Sequence, residues 1–207
     1  IIVGINAGFS LTFMGNTHYA IEDMGIIRCI PGMTIISPSD AGQALKAFYA
    51  SWTLNKPVYI RFTGGLNCPV IYEQEFNYQI GKGIRLREGN QIQIIATGSM
   101  VDRALKAAKI LEEKGISVDV VDMHTIKPLD TDILKKDVKL VVSVEEHSII
   151  GGLGSAIAEA LSTYSVHAPL LRLGIGDYFS QVGEYEYLLE QHGLSPEHIA
   201  NTIENNL

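Results

Sequence analysis

The chain has 207 residues, 46% hydrophobic and 19% charged, with a net charge of -7. That composition is that of a globular protein with one large or two small domains, and two small ones are expected. No run approaches the roughly 18 to 20 apolar residues of a membrane span. The 16 Lys and Arg residues are scattered among 23 Asp and Glu without a basic run, which argues against nucleic acid as a partner. Cys29 and Cys68 lack the spacing of a metal or redox pair, so a reducing, cytoplasmic setting is expected.

The first residues, Ile1 to Ile5, read as a strand. An edge strand that starts without a turn or cap, and without an initiator Met, leads us to expect sequence upstream of Ile1. Thr17 to about Ile27 follows as a helix, Met33 to Ile36 as a strand, Ser39 to Trp52 as a helix and Val58 to Phe62 as a strand. The helix at Ser39 has a start signal in Pro38-Ser39-Asp40, with Gln43 three residues after Asp40 as in a capping box. Its apolar residues, Ala41, Ala44, Leu45, Phe48 and Tyr49, are expected to face the core.

From Ile71 to Gly89 the pattern turns polar and irregular, and a domain boundary is expected there, after residue 76. Beyond it come a strand at Gln91–Thr97, a helix at Val101–Lys114, strands at Ser117–Met123 and Lys139–Glu145, a helix at Leu153–Thr163 and a strand at Leu170–Gly174. Two tail helices, Glu184–Gln191 and Pro196–Asn205, close the chain, the last capped by Ser195. The near-continuous Val and Ile runs are those of parallel strands covered on both faces, so the fold class is α/β.

Several residues are candidates for chemistry. The loop Gly15-Asn16-Thr17-His18 leaves the end of the first strand, where parallel α/β sheets gather ligands, and His18 there suits a hydrogen bond to a substrate oxygen. The alternative is a half-exposed turn histidine. Arg61, at a strand end beside Gly64-Gly65, suits capture of a phosphate or carboxylate, and equally an interdomain ion pair. Glu145-Glu146-His147 with Gly151-Gly152-Leu153-Gly154-Ser155 lacks the Gly-x-Gly-x-x-Gly spacing of a dinucleotide loop, so close packing of a helix start is the better reading. A metal site there would need further ligands. His124, His192 and His198 read as structural.

Taken together, Gly15 to His18 with Glu22-Asp23, Arg28 with Ile30-Pro31-Gly32-Met33, Ser37-Pro38-Ser39-Asp40, Pro57 to Arg61, Ala96 to Met100, Lys127-Pro128-Leu129-Asp130, Val144 to His147 and Gly151 to Ser155 resemble the transketolase family. The outline is shared by deoxyxylulose-phosphate synthases and the β subunits of 2-oxoacid dehydrogenases. The resemblance implies a partial pyrimidine-binding domain at 1–76 and a transketolase carboxyl-terminal domain at 77–207, each a mostly parallel sheet flanked by helices. It further implies thiamine diphosphate and a divalent cation, Mg2+, in the intact enzyme, and binding of neither by these residues alone. The activating glutamate lies upstream of Ile1 in the family, and no Gly-Asp-Gly occurs here.

By the same resemblance the activity is transfer of a two-carbon ketol unit between sugar phosphates. It needs a diphosphate-binding subunit or domain, in a homodimer or heterotetramer. His18 resembles the family histidine that contacts the donor ketol, and Arg61 the arginine that binds sugar phosphate. Two positions depart from the pattern: Met14 stands where many transketolases have an aspartate, and Asn6 where a phosphate-binding histidine is frequent. A non-catalytic docking module is the competing expectation.

Overall fold

A computed structural model describes residues 1–64, 68–135 and 137–207. The expected glycine pair at Gly64-Gly65 therefore lies only partly inside the described residues. Two sheets stack their cores against each other. The first has the order β1 (Ile2–Gly4), β3 (Val58–Arg61), β2 (Thr34–Ile36) and β7 (Thr125–Lys127), with β1, β3 and β2 parallel and β7 antiparallel to β2. The second has the order β4 (Ile84–Arg87), β6 (Val118–Asp122), β5 (Ile92–Ala96), β8 (Leu140–Ser148) and β9 (Leu170–Ile175), all parallel except β4. The α/β class with mostly parallel sheets is as expected.

The helices are α1 (Asp23–Arg28), α2 (Ala41–Trp52), α3 (Met100–Glu113), α4 (Leu153–Leu161), α5 (Tyr185–Gln191) and α6 (Pro196–Glu204). Strands β5, β6 and β8 present one face, through Ile94, Val120 and Val142, to α3 and α6. The other face, through Ile95, Val121 and Val141, packs against α4. This second cluster also takes in Met24, Ile35 and Tyr59 from the first region, so one apolar core spans both sheets. Each fully buried Ile, Val or Leu side chain contributes about 1.5 to 3 kcal/mol of transfer free energy.

Four elements differ from the sequence reading. The helix expected from Thr17 is a 3-10 turn at Thr12–Thr17 followed only later by α1. Gly15 takes φ 72°, and Ala20 exchanges backbone hydrogen bonds with Gly8, so the chain between is extended. Strand β4 lies in the stretch read as irregular. Its Ile-Arg-Leu-Arg alternation is a half-covered edge strand, with Arg85 paired to the buried Asp119 at 2.9 Å. Strand β7, absent from the strands expected above, leaves the second region to join the first sheet. Finally, α2 buries Gln43, Ala47 and Ser51, whereas Leu45, Phe48 and Tyr49 are exposed. Small and polar residues let this helix approach closely and leave Gln43 free to bond inward.

That inward bond belongs to a hub. Asp40 caps α2 by accepting from Gln43 N at 2.7 Å, and its other oxygen accepts from Ile71 N and Tyr72 N, fixing the linker. Asp122, at the end of β6, accepts on one oxygen from Ser39 Oγ at 2.7 Å, Gln43 Nε2 at 2.8 Å and Tyr72 OH at 2.8 Å. Its Oδ1 has no partner among the described residues. Burial raises the carboxyl to about 6, the three hydrogen bonds offsetting only part of that.

A folded value above the unfolded 3.8 means that the stability contributed by Asp122 is full below 3.8 and is lost as pH rises through about 6. Asp122→Asn keeps an acceptor and cannot ionise. Its stability relative to the parent should therefore rise between pH 4 and pH 7, by up to about 3 kcal/mol. Thermal melts across that range check this, and a pH-independent difference refutes it.

Candidate functional site: the His18 turn and the buried ion network behind it

The turn that carries His18 is fixed at both ends. Ala7 N donates to Phe62 O, and Phe9 N donates to the buried Glu146 Oε1 at 2.6 Å. Gly8 sits at φ 68°, and a Cβ there would lie 2.3 Å from that Glu146 oxygen, so only glycine lets the backbone come this close. At the far end the Asn16 side chain pairs with the backbone of Ser180, donating to its carbonyl at 2.6 Å and accepting from its N–H at 3.1 Å. Tyr19 OH donates to Thr12 O at 2.7 Å. His192, tucked between Phe9 and Tyr178, bonds Ser180 Oγ through Nε2 at 2.8 Å and ties the tail to the same turn. His18 itself is exposed, with Nδ1 2.9 Å from Thr17 Oγ1.

Of the two expectations for Arg61, capture of an anion or an ion pair, the geometry is that of a buried ion pair. The Arg61 side chain is 1% exposed. Nε donates to both oxygens of Asp23, at 3.0 and 2.8 Å, and Nη2 donates to the carbonyls of Ala20 and Glu146. Central strand β3 is covered on both faces, so Tyr59 and Arg61, two residues apart, point the same way and meet Asp23 together; Tyr59 OH donates to it at 2.8 Å. Burial pushes the Asp23 carboxyl up, but the Arg61 charge and the hydrogen bonds from Arg61 and Tyr59 hold it below its usual value.

The end of β8 completes the network. Glu145 and His147 share one face of the strand and Glu146 takes the other. Glu146 accepts from Ser99 Oγ at 2.5 Å and Tyr185 OH at 2.6 Å besides Phe9 N, and burial raises its carboxyl. His147 Nε2 accepts from Gly25 N at 3.2 Å, which leaves the proton on Nδ1 to be donated to Ser148 O at 2.7 Å. Burial, then the Arg61 charge, lower His147 to about 4, so the ring is neutral near pH 7.

Glu145 accepts from Leu153 N at 2.6 Å and Gly154 N at 2.8 Å, and burial raises it to about 7. The start of α4 is thus occupied by the chain's own carboxylate. A Cβ on Gly152 would lie 2.0 Å from Glu145 Oε2, which accounts for the glycine without a nucleotide. Among the described residues no group of three His, Cys, Asp or Glu is placed to hold a metal ion.

The chain matches two family models in succession, the transketolase pyrimidine-binding domain over residues 1–68 and the transketolase C-terminal domain over residues 81–199. It belongs to the transketolase family. A Methanocaldococcus jannaschii protein named as a transketolase C-terminal section is 42% identical over 204 residues, 98% of this chain and 64% of that protein. A 6-deoxy-6-sulfo-D-fructose transketolase subunit of Clostridium sp. is 41% identical over 96% of this chain and 62% of its own length. Among solved structures, a split-gene transketolase described as an inactive beta4 tetramer superposes with a TM-score of 0.86 at 36% identity, covering 100% of this chain and 65% of that one. The chain thus spans under two thirds of the length of these relatives.

Removing the Arg61 side chain would leave the largely buried Asp23 without its countercharge, held only by Tyr59 OH, and two carbonyls without this donor. Arg61→Ala should cost about 3 to 5 kcal/mol in chemical denaturation, with or without substrate. A loss below about 1 kcal/mol would mark it as an ordinary surface charge.

Proposed function

We propose that this chain is the carboxyl-terminal part of a thiamine-diphosphate-dependent transketolase that moves a two-carbon ketol unit between sugar phosphates. The observation that carries the reading is the succession of the two family domains across nearly the whole chain, together with a His18 turn braced from both regions. The family uses thiamine diphosphate; for this chain, catalysis with Mg2+ awaits a diphosphate-binding subunit or domain, because the residues present lack Gly-Asp-Gly. The proposed division is 1–76 for the pyrimidine-binding part and 77–207 for the carboxyl-terminal domain. The proposed setting is the cytoplasm and the proposed assembly a homodimer or heterotetramer. No helix among the described residues is long and apolar enough to cross a membrane.

In this reading His18 hydrogen-bonds the ketol oxygen of the donor. Arg61 serves the same site from behind: it holds Asp23 and the Ala20 carbonyl, and so the backbone that follows His18. Phosphate capture by Arg61 would fall to its Nη1 donors, since Nε and Nη2 bond Asp23 and the carbonyls of Ala20 and Glu146. A deoxyxylulose-phosphate synthase reading draws on 38% identity with that enzyme from Caldanaerobacter subterraneus, which matches only 31% of the enzyme's length.

Reconstitution with the diphosphate-binding partner tests the proposal. His18→Ala should lower kcat by roughly one to two orders of magnitude with a smaller change in KM, because a donor near the reacting carbon matters most as charge develops. Kinetics indistinguishable from the parent would reduce His18 to a turn residue.

A further inference from the structure

Glu146 is 1% exposed, and its carboxyl joins three segments: the turn after β1, the start of α3 and the tail helix α5. Phe9 N donates to Oε1, whereas Ser99 Oγ and Tyr185 OH share Oε2. The nearby Arg61 donates to the main-chain carbonyl of Glu146 rather than to its carboxylate.

What Phe9 holds is the base of the His18 turn. Gly8 and Ala20 exchange backbone hydrogen bonds at 2.8 and 3.3 Å, and the Phe9 ring meets Tyr19 edge-on at 5.0 Å. Tyr19 and Ala20 directly follow His18, so a shift of the Phe9 amide moves the backbone that carries the imidazole.

We infer that Glu146 is a positioning residue whose carboxylate, kept in place by Ser99 and Tyr185 of the second region, sets the Phe9 amide and through it the turn that presents His18. This rests on the ketol-transfer reading above, from which the role of His18 comes.

The ionised form is the one that fits. Phe9 N is a fixed donor, so an added proton can go only to Oε2, where it displaces one of the two hydroxyls and leaves Oε1 a weaker acceptor. Ser99 and Tyr185 line a cleft of about 640 Å³, the route by which a proton reaches that oxygen. Burial raises the carboxyl, and the bonds from Ser99, Tyr185 and Phe9, then the Arg61 charge of β3, pull it back. The other titratable groups facing it are Tyr185 of α5 and Cys68 beyond β3, whose thiol is raised by burial and then by the Glu146 charge.

Tyr185→Phe tests this, because it removes one donor to the carboxylate and keeps the ring. In NMR titrations of the full chain between about pH 4 and pH 8, the Phe9 amide should follow one ionisation in the parent, moved upward by about one unit in the variant. In the reconstituted enzyme the ratio of parent to variant kcat should grow by at least about threefold as pH falls toward that midpoint, with KM changed less. Ser99→Ala repeats both measurements if the first variant does not fold. A Phe9 amide that does not titrate, or a kcat ratio that is the same at every pH, overturns the inference, since a merely structural bond would act alike throughout. Absence of ketol transfer by the parent complex overturns it too, and that failure of the functional reading is told apart because the amide still titrates.

Discussion

A guanidinium taken out of water costs several kcal/mol unless a carboxylate and enough acceptors meet it, and the environment of Arg61 is arranged around that requirement. Asp23 comes from the start of α1, the Ala20 carbonyl from the extended stretch before it, and the Glu146 carbonyl from the end of β8. Three segments distant in sequence are thereby held at one point. Replacing the pair by apolar residues of equal volume need not weaken the fold, since buried ion pairs are poor sources of net stability. What the pair supplies is position: α1 and β8 meet β3 in one register, and the turn before α1 follows.

The same economy appears on the other side of the first sheet. Asp122 gathers three donors on one oxygen, from the cap of α2 and from the linker, while Asp40 uses one oxygen for its helix and the other for the linker backbone. The joint between the two sheets is therefore polar at its two flanks and apolar between, where Met24, Ile35 and Tyr59 meet Ile95, Val121 and Met123. An apolar joint alone would resist separation but permit sliding. Directional bonds at both sides fix the angle.

The fold was largely legible because its regular parts obey local rules. Strands β5, β6 and β8 are unbroken Val and Ile runs, α3 repeats apolar residues at helical spacing, and Ser195-Pro196 marks the start of α6. Where the reading failed, the deciding partner lay far along the chain. Leu45, Phe48 and Tyr49 were the evident apolar stripe of α2, yet Gln43 is what its buried face needs, because Asp122 waits 79 residues away. Arg61 left anion capture and an ion pair equally open, although a charge within a Val-Tyr-Ile run of a doubly covered strand signals a buried partner. The two glutamates ending β8 carry the same signal. Strand β7, three residues long, is too short for periodicity to reveal.

Strand β7 also sets a limit on how such a protein can be rearranged. It is encoded with the second region but completes the sheet of the first, pairing Ile35 with Lys127 and Ile36 with Thr125. The two regions are thus not free cassettes. Recombination between homologues at the linker would set the β7 of one parent against the β2 of the other, so these short stretches, about ninety positions apart, have to be inherited as a matched set if the chimera is to close its first sheet.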